Sequence, residues 1–392
     1  MAGFDVRNFT LPVPDENDFT SRLRSPAVAA RVGVWLGICF GIAFLTGVIS
    51  HEAHLTHPFL AFPTRPVWAY RVTQGLHVIA GTAAIPLLLV KLWTVFPKLF
   101  AKPPRKIRLL LVEGLERASI AVLVAAAIFQ LATGLANAAQ WYPWHFHFRA
   151  THYALGWIAI GALLVHIAVK LPLIREVLGA DIDDATHDRA RVDADPPLSR
   201  RGLVRTALGA AGVAVLATAG STVPVLRKVS VFGVRSGAGP GGIPINVTAR
   251  AAEVTAAALS ADFRLTVVSG DQQLSLSRAD LERLPQTTAA LPIACVEGWS
   301  ASGTWSGVRV RDLLDLVDAP RGRDVHVLSL QEHGTYRRST LPHQFADDAL
   351  TLLALSLHGE PLALDHGYPC RLIAPNRPGV LQTKWVHRLE VL

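Results

Sequence analysis

With 392 residues, 51% apolar side chains, only 17% charged ones and a mean hydropathy of +0.33, the chain is too apolar for a soluble protein and long enough for two or three domains. Its net charge of +8 would suit nucleic acid, but the cytoplasmic excess of Lys and Arg in a membrane protein explains it more simply, so nucleic acid is excluded as a partner. The three cysteines, Cys39, Cys295 and Cys370, form no CxxC pair and no disulfide framework.

Residues 1–29 are polar and lack the apolar core of a cleavable signal peptide, which makes them a cytoplasmic tail. Five apolar stretches follow, at 30–50, 67–96, 112–137, 150–174 and 203–224, each near the roughly 20 residues that cross a bilayer. The first four define a helical membrane domain over 30–175, followed by a charged cytoplasmic linker over 176–200 and a fifth transmembrane helix over 201–226. Arg22, Arg24 and Arg31 precede the first stretch, and Lys98, Lys102, Arg105, Lys106 and Arg108 follow the second. The connections after the first and third stretches are nearly free of such charges, apart from Arg65, Arg71 and Arg149, so the N-terminus is expected inside and residues 235–392 outside. Ser199-Arg200-Arg201-Gly202-Leu203 resembles a twin-arginine export signal placed inside the chain, and its implied partner is the twin-arginine export machinery. A pair of stop-transfer charges is the alternative.

A Gly/Pro-rich lead-in over 235–248 introduces the outer domain. Its short runs, such as Phe263–Val268 and Val325–Leu330, read as strands separated by turn residues. Asp312–Val317 and Asp347–Leu357 read as helices, giving a mixed α+β domain.

The second and fourth apolar stretches align without gaps. Leu76-His77 and Gly81 lie over Thr151-His152 and Gly156, and Pro97 lies over Pro172. Leu45-Thr46-Gly47 and Ala132-Thr133-Gly134 correspond in the first and third. The membrane part is therefore a duplicated helical hairpin. Fourteen residues after His77 and His152 come Lys91 and His166, a step of about 21 Å and nearly four turns. Such stacking resembles that of b-type cytochromes, in which imidazoles hold haem iron. His77 and His152 are the expected ligands of an outer haem b, with a hydrogen-bonded interior role or a proton relay as alternatives. His166 is a candidate ligand of a second haem, but Lys91 stands where its partner histidine belongs, so the haem count stays open. His51, His54, His57, His145 and His147 read as interfacial or proton-handling groups rather than a metal site; His51 also suits the edge of a quinone pocket or of the outer haem.

In the last third, Cys295-Val-Glu-Gly-Trp299 is followed by Trp305-Ser-Gly-Val308. A thiolate is a soft metal ligand, and large flat side chains beside it suit the walls of a cavity. Downstream stand His366-Gly-Tyr-Pro-Cys-Arg371 and Lys384-Trp385. These elements resemble the molybdopterin-binding domain of the sulfite oxidase family, which includes bacterial periplasmic methionine sulfoxide reductases. The resemblance implies that Cys295 is the catalytic ligand of molybdenum. It also implies that His366, Arg371 and the run Gln382-Thr383-Lys384 hold the pterin and phosphate of Mo-molybdopterin. Asn246 and Thr248, from their position in the lead-in, are further candidates to contact the pterin, as are Ser329 and Gln331. Cys370 reads as a packed thiol.

Together these readings describe a molybdenum oxidoreductase in the plasma membrane of a bacterium. It performs oxo transfer outside and exchanges electrons with the quinone pool through haem b. Sulfite oxidases carry an Arg where this chain has Ser300, which favours reduction of an S-oxide or N-oxide, small or protein-bound. His366 instead follows the sulfite oxidase pattern and keeps a sulfite-type oxidase as the alternative. Arg309, Arg311, Arg337 and Arg338 are candidates for an anion pocket. A cofactor-free binding module on a helical anchor is the reading from another class. A transmembrane electron conduit is the third, and it requires two haems.

Overall fold

The computed structural model describes residues 14–59, 61–101, 106–188, 197–226, 228–233 and 239–392. The expectations for residues 1–13, Lys102, Arg105, 189–196 and 235–238 lie outside them, as do the side chain of Arg108 and its charge. Five long helices come first among the described residues. Helix α1, Pro26–Glu52, starts on Ser25, whose Oγ accepts the Val28 N–H at 3.2 Å, with proline in the first turn. Helices α2 (Ala69–Val95), α3 (Ile107–Ala138) and α4 (Phe148–Gly179) follow. With a short 3-10 turn extending α2 to Phe100, these four are long and apolar enough to cross a membrane, at mean hydropathies of 1.9 to 2.2. Leu45, Leu89, Leu115 and Leu164 face outward on them, a costly exposure in water and an ordinary one in lipid.

The predicted fifth span folds as α5, Arg200–Thr218, with Ser199 Oγ accepting the Gly202 N–H at 3.0 Å. It is not among the four helices apolar enough to cross a membrane. Alanine and glycine dominate it, and Arg200, Arg201 and Arg205 lower its hydropathy further. Ala207 and Ala211 instead give it a small-residue seam that packs on Val28, Val32 and Leu87.

The chain divides into two compact units, 1–41 with 81–132 and 154–214, and 42–80 with 133–153 and 215–392. The division cuts α1 to α4, so the C-terminal ends of α1 and α3 and the N-terminal ends of α2 and α4 belong to the same unit as the C-terminal domain. That domain is built on two five-stranded sheets. The first has the order β2 (Gln272–Leu276), β1 (Leu265–Ser269), β10 (Val386–Val391), β5 (Val325–Ser329), β6 (Arg338–Leu341). Its β1–β10 pair is parallel and the others antiparallel. The second runs β3 (Thr287–Ala294), β4 (Ser300–Arg309), β7 (Leu352–Leu357), β8 (Glu360–Pro361), with β9 (Arg371–Ile373) also on β7. Short helices intervene, such as α6, Arg278–Arg283, where Ser277 and Asp280 form a reciprocal capping box.

The strands expected at Phe263–Val268 and Val325–Leu330 form, and the helix expected at Asp312–Val317 forms over Val310–Asp315. Asp347–Leu357 does not form a helix; its apolar half is β7. Leu353 and Leu355 pack into the core with Val327 and Leu389, while Leu352, Ala354 and Leu357 pack with Ile293 and Trp305. A strand buried on both faces is a continuous apolar run, which periodicity alone cannot separate from a buried helix.

Candidate functional site

Cys295 begins the tight loop between β3 and β4. Its N–H donates to Trp299 O and its carbonyl accepts from the Gly298 N–H, both at 3.0 Å. Gly298 has φ +85°, and a Cβ there would lie 2.7 Å from Val78 Cγ2, so the position has room for glycine alone. Trp299 Nε1 donates to Glu297 Oε2 at 2.9 Å, and the fully buried Trp305 indole donates to Leu291 O at 3.2 Å. Cys295 is itself buried. Burial, and then the Glu297 charge, push its thiol well above the ordinary thiol range. A thiolate in this place therefore needs a bound cation, which is what a metal supplies.

His366, Arg371 and Lys384 converge in the same domain. Gly367, at φ +108°, turns the chain between His366 and the strand that carries Arg371. The His366 ring nitrogen Nε2 donates to Pro240 O at 2.6 Å. Arg371 donates to His366 O at 3.0 Å and Gln382 O at 3.2 Å and sits over the Trp305 ring, while its buried Nε has no hydrogen-bond partner among the described residues. Lys384 Nζ donates to Val247 O and Asp365 O. Burial pushes Arg371 down to about 9. Burial first, then the Arg371 charge, push His366 down to about 4 and Lys384 down to about 7. Buried cations without a carboxylate partner are costly, and a dianionic phosphate would relieve them. The residues present therefore fit the cofactor.

The other predicted contacts have different positions. Gln382 is buried, accepting from the Ala374 N–H and donating to Arg377 O, and Thr383 is buried against Ser339. Both brace the loop from within. Asn246 and Thr248 are exposed, their side-chain oxygens turned onto their own backbone at Val247 and Ala251. The lead-in around them does reach the cluster, through Pro240 O, Val247 O and the Ala249 N–H on Asp365. Ser329 Oγ donates to Lys384 O at 2.8 Å and accepts the Gln331 N–H at 3.3 Å. Cys370 donates to Val386 O, and burial raises it to about 12, a packed thiol. Arg309 pairs with Asp312, Arg311 with Asp315 and Asp347, Arg337 with Glu332 O and Arg338 with His326. Each of the four is thus engaged away from Cys295.

In the helical half of the same unit, the His77 and His152 rings lie 6.2 Å apart, centre to centre. A metal–imidazole bond of about 2 Å on each side, plus roughly 1.1 Å from each nitrogen to its ring centre, gives a separation of about 6 Å. His77 Nδ1 donates to Ala43 O at 2.8 Å and lies 3.3 Å from Thr46 Oγ1. That carbonyl fixes the tautomer and leaves Nε2 as the lone-pair nitrogen a metal requires. Thr133 Oγ1 stands at the same 3.3 Å from His152 Nδ1. Gly47 and Gly134 lie under the two rings, where a Cβ would be 3.2 Å and 3.7 Å from Cε1 of His77 and His152 respectively. Each duplicated Thr-Gly pair thus stands against one of the duplicated histidines, and the residues fit a bis-imidazole haem.

Lys91 and His166 belong to the other unit. Lys91 Nζ donates to Ala29 O at 2.8 Å. His51 stacks on Tyr153 with ring centres 3.6 Å apart, and His54 Nδ1 donates to Ser50 O at 2.6 Å. His57, His145 and His147 are exposed. Among the described residues no three His, Cys, Asp or Glu side chains gather as a metal site.

Sequence reasoning missed the polar clasp on the cysteine loop. Gln74 Nε2 and Asn137 Nδ2 both donate to Val296 O, at 3.3 and 2.9 Å. Gln140 Nε2 and Tyr142 Oη donate to the Glu297 carboxylate at 2.7 and 3.3 Å. Tyr70 N–H donates to Asn376 Oδ1 at 2.6 Å, and Thr222 Oγ1 donates to Gly298 O. The available signal was an amide inside an otherwise apolar helix, one turn from His77 for Gln74 and one turn from Thr133 for Asn137.

Residues 251–392 match the family described as the oxidoreductase molybdopterin binding domain. The C-terminal part of the chain is a molybdopterin-binding oxidoreductase domain. This oxidoreductase domain has relatives among sulfite oxidases: the mitochondrial sulfite oxidase of Rattus norvegicus is 30% identical over 157 residues, covering 33% of this chain and 29% of the relative. A putative protein-methionine-sulfoxide reductase subunit, YedZ1 of Azospira oryzae, is 34% identical over 135 residues, covering 34% of this chain and 50% of the relative. Among solved structures, the sulfane dehydrogenase SoxCD of Paracoccus pantotrophus is 26% identical at a TM-score of 0.31, covering 34% of this chain and 39% of that one. The chain thus spans under a third of the mammalian sulfite oxidases it matches and half of the Azospira protein.

Proposed function

We propose that this chain is a bacterial membrane-bound molybdenum oxidoreductase that performs oxo transfer outside the membrane and exchanges electrons with the quinone pool through one haem b. The observation that carries the reading is the imidazole pair of His77 and His152, spaced for a six-coordinate iron, in the same compact unit as Cys295. When bound, molybdopterin supplies two-electron oxo chemistry and haem one-electron transfer. Cys295 would hold molybdenum, and His366, Arg371 and Lys384 the pterin and phosphate. Gln382 and Thr383 shape that loop, and Asn246 and Thr248 lie on its rim. Trp299 and Trp305 wall the cysteine loop from water. His166 faces Lys91 rather than a second imidazole in the repeat, which supports one haem.

Ser300 follows the cysteine loop, and its buried Oγ has no hydrogen-bond partner among the described residues. A hydroxyl there suits the oxygen of a neutral S-oxide or N-oxide, which favours reduction. A second reading, oxidation of a small anion, rests on Arg377. It is buried, with Nη1 unpartnered among the described residues, and adjoins Asn376, which holds Tyr70.

Outward placement of the domain requires α5 to cross. Helix α5 is less apolar than α1 to α4, so in this reading it crosses with Ala207 and Ala211 packed against Val28, Val32 and Leu87 rather than facing lipid all round. Arg200-Arg201 is then the export signal, and the loaded domain passes through the twin-arginine machinery; stop-transfer charges are the alternative.

Elemental analysis and a pyridine haemochrome spectrum of the detergent-purified protein should give molybdenum and haem in equal amounts. Cys295→Ala should abolish oxo transfer and keep the haem spectrum. Turnover surviving that change refutes the site. Reoxidation of reduced haem by oxides, against reduction of oxidised haem by sulfite, decides direction.

A further inference from the structure

The tip of the cysteine loop rests on the turn of α2 that carries His77. Gln74, one turn before His77, donates to Val296 O, and Val78, directly after His77, fills the space where a Gly298 side chain would stand. Asn137, one turn past the Thr133 that contacts His152, donates to the same Val296 carbonyl. Both amides are held in orientation from behind. Ser50 Oγ donates to Gln74 Oε1 at 3.1 Å, and Tyr142 Oη donates to Asn137 Oδ1 at 3.2 Å. With each acceptor oxygen so occupied, each NH2 group is turned toward the loop. Thr222 holds the Gly298 carbonyl beside them. Two residues adjoining the proposed molybdenum ligand are therefore in direct contact with residues adjoining a proposed iron ligand.

We infer that Gln74, Val78 and Asn137 form an electron-transfer junction, holding Val296 and Gly298 against the His77 turn so that electrons pass between the two metals across this contact. The inference rests on the cofactor assignment proposed above. In the reducing direction a quinol is oxidised to a quinone, releasing two electrons and two protons. The electrons cross the junction singly, and the oxide substrate takes up both, with two protons, to leave as its reduced form and water. None of the three residues touches the reacting atoms; they are positioning residues, and the quantity they set is the closeness of loop and helix.

The test uses the holoprotein in detergent and needs no substrate. A flash of photoreductant reduces the haem, and its reoxidation by molybdenum is followed in the haem absorbance. The double variant Gln74→Leu/Asn137→Leu should relax about tenfold more slowly than wild type, within what a misplacement of about 1 Å costs, at unchanged molybdenum and haem content. Gly298→Ala should slow it comparably, because the new methyl meets Val78. Adding Val78→Ala should recover the part of the loss that the clash causes, leaving the part due to a non-glycine residue at φ +85°. Unchanged relaxation in both the double variant and Gly298→Ala overturns the junction, as does slowing that appears only together with loss of molybdenum or haem. A wild type that lacks either cofactor overturns the functional reading itself, a result separable by metal analysis alone.

Discussion

Lys384 stays largely uncharged above pH 7 in the cofactor-free protein, because burial and then Arg371 disfavour its ammonium form. In the unfolded chain the same group titrates near 10.4. Between these values the unfolded chain binds a proton that the folded one does not, so stability rises with pH over this window and is lost as pH falls toward 7. The thermal midpoint of cofactor-free protein should therefore climb from pH 7 to 9.5, and Lys384→Met should flatten the climb. Phosphate binding has the opposite dependence, since it needs the charged amine. Cofactor loading should weaken as pH rises through about 7. Lys384, His366, Arg371 and Cys295 became site candidates through the resemblance of their motifs to a molybdopterin-binding domain, and charge and sulfur are letters a sequence displays. Sequence reasoning did not separate Lys384 from Gln382 and Thr383. Whether an amide points outward or braces its own loop is decided by Ala374, Arg377 and Ser339, which are distant in sequence or indistinct in type.

Each hairpin of the helical repeat carries a Thr-Gly pair, a correspondence legible because duplication displays the same constraint twice, while its place beneath a histidine was not legible. The helix expected at Asp347–Leu357 was misread because burial on two faces erases the alternation of a strand. Arg200 and Arg201 begin α5 as a sequence pair, yet the fold treats them differently. Arg200, with its side chain 3% exposed, donates to the carbonyls of Arg22, Ile182 and Asp184 and pairs with Asp188. Arg201 is 55% exposed and pairs with Asp181 at 2.7 Å. Arg200→Ala should thus destabilise by about 3–5 kcal/mol, having stranded a buried carboxylate, and Arg201→Ala by about 0–1 kcal/mol. Thermal unfolding in detergent reads this asymmetry. On the proposed export reading, Arg200→Lys and Arg201→Lys should both leave the C-terminal domain inside the cell, although only the first lowers stability; export surviving both changes would leave the pair as stop-transfer charges.

For the molecule as a whole, the sidedness derived from Lys and Arg counts predicts opposite fates for two engineered thiols. An impermeant maleimide should label Arg321→Cys in intact cells and leave Asp183→Cys unlabelled until the membrane is opened. The clasp of Gln74 and Asn137 on Val296 was not legible at this scale, since it joins helix and loop positions far apart in sequence through a backbone carbonyl that no side chain advertises. One arrangement in the first sheet bears on how the domain is made. Strand β10 lies between β1 and β5, and Thr266 finds its parallel partner only at Arg388. A ribosome must therefore have synthesised nearly the whole domain before that sheet can close. Until then the nascent polypeptide keeps an open edge between β1 and β5, and the loop that carries Lys384, directly before β10, stays unfixed until the rest of the domain has been made.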